Sequence, residues 1–157
     1  MSEDTPSYLN RPEGYHRMRS GGGFIGHNGP LHLKRMPDHV RVGFRVDGRH
    51  LNPMGNLHGG MLATFADMLL PIIVHHQSEV GPRFLPTISL QVDYLAAAKL
   101  GQWVEGRGEL LRATRNLVFA QGLVHADDTL IARVSGTFKM GPEFKPEWIK
   151  SMGVAGQ

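Results

Sequence analysis

The stretch NPMGNLHGGMLATFADMLLPIIVHHQ, residues 52–77, constrains this chain more than any other. From residue 58 to about 77 it reads as one long helix, and around the helical wheel Met61, Leu62, Phe65, Met68, Leu69, Leu70, Ile72, Ile73 and Val74 point in nearly every direction. A surface helix carries a polar stripe. This one needs cover on most of its sides, which a concave sheet or a second subunit supplies. One acid, Asp67, sits inside the run, although an unpaired buried charge is costly. Pro71, four residues on, removes the N–H that would bond the Asp67 carbonyl and crowds that oxygen, which predicts a bent or loosened turn there.

The flanks supply the cover. LHLKRM and HVRVGFRV alternate apolar and polar residues at period two, as half-buried strands do, and Pro37-Asp38 splits them into a hairpin. After the break QSEVGPRF come TISLQVDYL, QWVEGRGELLRA, NLVFAQGLVHA and LIARVSGTFKM, joined by KLG, ATR and DDT, so consecutive antiparallel pairing follows. Strand, strand, buried helix and four strands fit one arrangement: an α+β hot-dog fold, an antiparallel six-stranded sheet wrapped around one long central helix. At 157 residues one domain is expected, burying about two thirds of the unfolded surface. Residues 1–28, with SGGGFIGHNGP, read as an irregular N-terminal segment, 29–141 as the folded domain and 142–157 as a peripheral tail.

Composition excludes several function classes. The 17 Lys and Arg are scattered and the net charge is only +3, so no nucleic-acid arm is expected and an anionic small molecule suits the surface better. The absence of cysteine leaves no disulfide framework and no thiolate zinc site, and fits a reducing cytoplasm. The first residues, MSEDTPSYLNRPEG, lack an apolar signal core, and Met61–Val74 is too short to span a bilayer, so no membrane partner is expected. His75 and His76 are adjacent and point about 100° apart, which suits the helix C-terminus better than a shared metal.

Gly59 and Gly60 stand where loop turns into helix, at N–H groups without intrahelical partners and at the positive end of the dipole. An oxygen anion is favoured there, and the missing Cβ lets a ligand carbonyl approach, although the same glycines also suit a tight turn. A carboxylate among apolar groups has its charged form disfavoured, which suits a general base or nucleophile; an Asp bonded to a neighbouring backbone or subunit is the plainer alternative for Asp67.

Asn52, Gly55, the triplet His58-Gly59-Gly60 and Asp67, followed by VDYLAAAKLG (Val92 to Gly101), resemble the hot-dog acyl-CoA thioesterases of the PaaI-like, phenylacetate-pathway type, from about Phe44 to Met140. The resemblance implies hydrolysis of an acyl-CoA thioester with no metal and no redox cofactor, coenzyme A being part of the substrate. It also implies a cytoplasmic homo-oligomer, a dimer or dimer of dimers, with composite sites at the dimer interface. In that scheme the Gly59 N–H forms the oxyanion hole, with Gly60 beside it against the substrate, and Asp67 of the facing subunit activates water or attacks directly. His58 orients the arrangement, Asn52 positions water or thioester, and the Thr87 hydroxyl helps hold the water. Arg112 and Arg115 flank the turn between two long strands, where this family often places cations for the coenzyme A phosphates. Thr87 also suits a strand, and exposed turn arginines ordinarily just solvate. Two other readings stay open: a hot-dog dehydratase or hydratase using His58 and Asp67 in opposite proton transfers, although HGG differs from the proline-containing His motifs of those relatives, and a non-catalytic acyl-CoA binding or sensor domain. Phe24, Phe65 and Met68 could line an acyl tunnel or fill a core.

Overall fold

The structure is a computed structural model that describes residues 9–19 and 23–147. Residues 1–8, 20–22 and 148–157, which hold part of the expected N-terminal segment and most of the expected tail, lie outside the described residues. In chain order the elements are β1 (His16–Arg17), α1 (Gly23–Asn28), β2 (His32–Arg35), β3 (Val40–Arg45), α2 (Gly59–Gln77), β4 (Thr87–Tyr94), β5 (Trp103–Ala113), β6 (Leu117–Ala126) and β7 (Thr129–Lys139). All strands pair antiparallel in one sheet of order β1-β2-β3-β5-β6-β7-β4. The six expected strands are present, and the sheet has seven. The seventh, β1, lies in the segment read as irregular, where it pairs His16 and Arg17 with Leu33 and His32.

α2 packs on one face of the sheet through Phe65, Leu69 and Ile73, each fully buried. Glycines in β5 make the close approach possible: a Cβ on Gly106 would stand 2.3 Å from a Leu69 methyl, and one on Gly108 would meet Ile73 at 2.9 Å. β3 pairs with β5 only between Trp103 and Gly106. Beyond it the Gln77 carboxamide stands in for a strand, its Nε2 donating to the Gly108 carbonyl at 2.9 Å and its Oε1 accepting from the Leu110 N–H at 3.0 Å. By length and composition α2 could cross a bilayer, unlike the shorter run considered above, yet half of its most apolar window is buried inside the domain.

The sheet alone covers α2 on all but one side, where a second subunit would supply the remaining cover. Thr64, Asp67, Met68, Pro71 and His75 are half-buried and Gly60 is exposed, forming one stripe at helical spacing that a single sheet does not reach. The helix nevertheless runs uninterrupted through Pro71.

On the opposite face, Tyr15 packs edge-on against Trp103 with ring centroids 4.9 Å apart, and its hydroxyl donates to Glu105. His32, fully buried beside Trp103, is pushed down to about 4, by burial first and then by the Arg11, Arg17 and Arg45 cations. His50 and His75 are held below the ordinary histidine value as well, again by burial first. In the unfolded chain such histidines take up a proton near pH 6.5, so between about 6.5 and 4 that state binds more protons and is favoured as the pH falls. Asp38 and Asp93 are shifted downward, by their hydrogen bonds to His39 and Arg133, so the stability they contribute is lost only below the ordinary carboxylate range. The melting temperature should therefore be level above pH 6.5 and decline toward pH 4, less steeply for His32→Leu than for the parent. Identical slopes for the two proteins would remove His32 from this account.

Candidate active site

The start of α2 is built by a turn sequence. In NPMGN, the Asn52 side-chain oxygen accepts from the Met54 N–H at 3.0 Å and the Asn56 N–H at 3.1 Å, and Gly55 adopts the left-handed φ of +74° that closes the turn. The loop is tied to the segment after β4: the Leu57 N–H donates to the Ala98 carbonyl at 2.8 Å, and the Lys99 ammonium bonds the Asn56 side chain. The two stretches that carry the family resemblance are thus adjacent in space.

His58 is the N-cap of α2. Its backbone is extended, at φ −61° and ψ 133°, and its Nδ1 accepts from the Gly60 N–H at 2.8 Å. In the neutral ring this places the proton on Nε2. A Cβ on Gly60 would lie 2.9 Å from Nδ1, so glycine is what lets the imidazole fold back over the cap. The carbonyl of Gly59 accepts from the Tyr94 hydroxyl at 2.7 Å. As the first residue of the helix, Gly59 has an N–H with no intrahelical acceptor, and no other protein group among the described residues takes it. A free N–H at the positive end of the dipole can accept developing negative charge on a carbonyl oxygen.

Two turns further along, the Thr87 hydroxyl donates to Oδ1 of Asp67 at 2.5 Å. Thr87 opens β4, an edge strand of the sheet, so helix and edge together present the carboxylate. Asp67 is only half-buried, where the sequence led us to expect an acid enclosed by apolar groups, and its second oxygen, Oδ2, carries no protein hydrogen bond among the described residues. It borders a cavity of about 670 Å³ that runs beside α2 past Met68 and Pro71 to His75 and His76. The two histidines are held there by backbone carbonyls, His75 through Arg83 at 2.9 Å and His76 through Ile72 at 2.8 Å.

The sequence-derived residues therefore fall into groups. Asp67 and Thr87 meet; His58, Gly59 and Gly60 form a second cluster with Asn52 shaping the loop before it. Arg112 and Arg115 join neither. Both are exposed at the β5–β6 turn, and neither borders the cavity. Of the tunnel candidates, Met68 lines the cavity, Phe65 packs in the core with its ring centroid 5.1 Å from that of Phe44, and Phe24 is exposed. Two participants carried no assigned role in the sequence. Tyr94 lay within the quoted VDYLAAAKLG, where its hydroxyl at the end of an apolar strand was the available signal. Phe144 lines the cavity because residues 82–84 and 141–144 pair: the Phe84 N–H donates to the Pro142 carbonyl at 2.9 Å, the Phe144 N–H to Pro82 at 2.9 Å, and Arg83 binds Glu143 at 3.1 Å.

Comparison with known proteins adds the following. The sequence model of the thioesterase superfamily matches residues 54–132. The protein named "Putative esterase PA0474" of Pseudomonas aeruginosa is 28% identical over 133 residues, 84% of this chain and 98% of its own length. Acyl-coenzyme A thioesterase 13 of mouse is 25% identical over 84 residues, 54% of this chain and 59% of its own. Among solved structures, zebrafish thioesterase superfamily member 2 superposes with a TM-score of 0.68 at 29% identity, covering 76% of this chain and 87% of that one. A point mutant of the phenylacetic acid degradation protein PaaI from Thermus thermophilus superposes at 0.61 and 26% identity, covering 74% of this chain and 96% of that one.

Proposed function

The chain belongs to the thioesterase superfamily, and from that premise we propose that it hydrolyses an acyl-CoA thioester to the free acid and coenzyme A. The observation that carries this reading is the Thr87–Asp67 hydrogen bond of 2.5 Å at the wall of the cavity. It fixes one carboxylate oxygen and leaves the other to take a proton from water or to attack the thioester itself. The relatives named as thioesterases, one of them for acyl-coenzyme A, support the substrate class.

As a base, Asp67 would remove a proton from water as the oxygen adds to the thioester carbon, and the developing oxyanion would be received by a Gly59 N–H. Collapse would break the C–S bond and release coenzyme A, the proton passing from Asp67 to the departing sulfur. As a nucleophile, Asp67 would add to the thioester carbon and the C–S bond would break, coenzyme A leaving as its thiolate; water would then open the resulting anhydride, returning the Asp67 carboxylate and the free acid, with the proton released going to the thiolate. In both routes the two groups must flank one carbonyl, yet within a chain they are eight residues apart on α2, or about 12 Å along its axis. A second copy resolves this. β4 has a free edge, and antiparallel pairing of two such strands about their centre would set Thr87 of one protomer opposite Tyr94 of its partner. Asp67 beside Thr87 would then face Gly59 beside Tyr94 across the interface, and the half-buried stripe of α2 would be covered.

A panel of aryl, medium-chain and hydroxylated acyl-CoA thioesters, followed by thiol release, tests the activity; no coenzyme A from any of them would overturn it. Thr87→Val keeps the β-branched strand residue and removes the hydrogen bond to the carboxylate. A hydrogen bond to a charged group is worth about 1.5–3 kcal/mol, so where it aims the reacting carboxylate kcat should fall by roughly ten- to a hundredfold, while the same loss lowers the melting temperature by no more than about 10 °C and leaves the protein folded.

A further inference from the structure

Resting on that reading, we propose that Tyr94 is a positioning residue: with His58 it clamps the Gly59–Gly60 peptide on one side of Gly59, while the preceding peptide, which carries the Gly59 N–H, is held through its His58 carbonyl by the Met61 and Leu62 N–H groups at 2.9 and 3.1 Å, so the Gly59 backbone is fixed on both sides and its N–H aimed at the acyl oxygen. The peptide unit between the two glycines is held at both ends. Its carbonyl accepts from the Tyr94 hydroxyl at 2.7 Å, and its N–H donates to His58 Nδ1 at 2.8 Å. The two groups of one peptide point in opposite directions, so these bonds resist rotation of its plane.

Such a clamp has a physical purpose at this position. The first turn of a helix lacks intrahelical N–H bonds and frays readily, and two consecutive glycines give it the widest conformational freedom. An oxyanion donor works by being preorganised, so a start of α2 left to fray would spread the Gly59 N–H over many directions. Tyr94 reaches the glycine from the last residue of β4, and its ring lies 3.4 Å from where a Gly59 Cβ would be, closing over the backbone at van der Waals contact. The hydroxyl is the only part of the side chain that Phe would lack. The clamp also ties the donor to the strand that carries Thr87 at its other end, so each edge strand holds the Gly59 half of one reaction centre and the Asp67 half of the other.

Tyr94→Phe is the test, read in two ways. On an acyl-CoA that the parent hydrolyses, kcat should fall about tenfold, as expected for one neutral hydrogen bond, while KM stays within about twofold and the melting temperature holds. On the unliganded protein, hydrogen exchange at the Gly60 amide should accelerate. An unchanged kcat, or a fall in kcat accompanied by a fall of more than about 10 °C in melting temperature, would overturn the positioning role. Unchanged Gly60 exchange would overturn the clamp whatever the activity. A parent that hydrolyses no acyl-CoA would instead defeat the hydrolase reading, while the Gly60 exchange still decides the clamp.

Discussion

Asp67→Asn should lower kcat for acyl-CoA hydrolysis by about 10²–10⁴-fold, the range that general acid–base catalysis contributes. The substitution is nearly isosteric, and the amide oxygen can still accept from the Thr87 hydroxyl, so the 2.5 Å contact and the edge of the sheet persist. What disappears is the ability to take up a proton or attack carbon. Coenzyme A release under saturating substrate measures the loss, and the thermal midpoint shows that the fold is intact. A variant retaining full rate would exclude Asp67 from both proposed roles and leave the remainder of the site in place.

Gly59→Pro should cost about 10²–10³-fold in kcat, the usual consequence of deleting one oxyanion-hole donor. Proline removes the N–H and adds its ring carbons, and Gly59→Ala, which adds a Cβ but keeps the N–H, separates the two effects. Gly59 is the first helical residue, the position where proline is best tolerated because that N–H has no intrahelical partner. The residue before a proline must be extended, and His58 at φ −61° and ψ 133° already is. Gly59 is not among the left-handed glycines, and a Cβ there meets the Tyr94 ring at an ordinary 3.4 Å. Stability should therefore hold while turnover falls. Combining the two variants tests the interface: a mixed dimer of Asp67→Asn and Gly59→Pro protomers contains one site with both groups intact if each site draws them from different chains. Co-expression should restore turnover well above either variant alone. No restoration would place both groups in one chain.

The helix and six of the strands were legible because their periodicities are long and unbroken, whereas the joining of Asp67 to the His-Gly-Gly turn remains a proposal, since within one chain the two stand about two turns of α2 apart. What escaped notice has physical reasons. A helical wheel counts apolar directions but not how far one sheet reaches, so the half-buried stripe through Asp67 and Pro71 went unseen. A two-residue strand such as β1 has no period to detect, and its place is fixed by Tyr15 packing on Trp103. Asn52 illustrates competing uses of one residue type: NPMGN has the composition of a turn, and its side-chain oxygen is spent on two backbone N–H groups of that turn. Pairing between residues 82–84 and 141–144 rests on backbone groups far apart in the chain, and backbone groups leave no trace in residue identity.

The wall that Phe144 contributes to the cavity gives the molecule a division of labour. The groups proposed to act on the thioester reside on α2 and β4, inside the sheet framework, whereas Met18 and Phe144, at opposite ends of the cavity-lining sequence, come from stretches before β2 and after β7. Substitutions near the chain ends can therefore reshape the chamber without disturbing the register that holds Thr87 on Asp67. Selection acting on these outer stretches would alter which acyl groups fit while inheriting the reaction centre unchanged, so the breadth of substrates in such a lineage can drift faster than its chemistry.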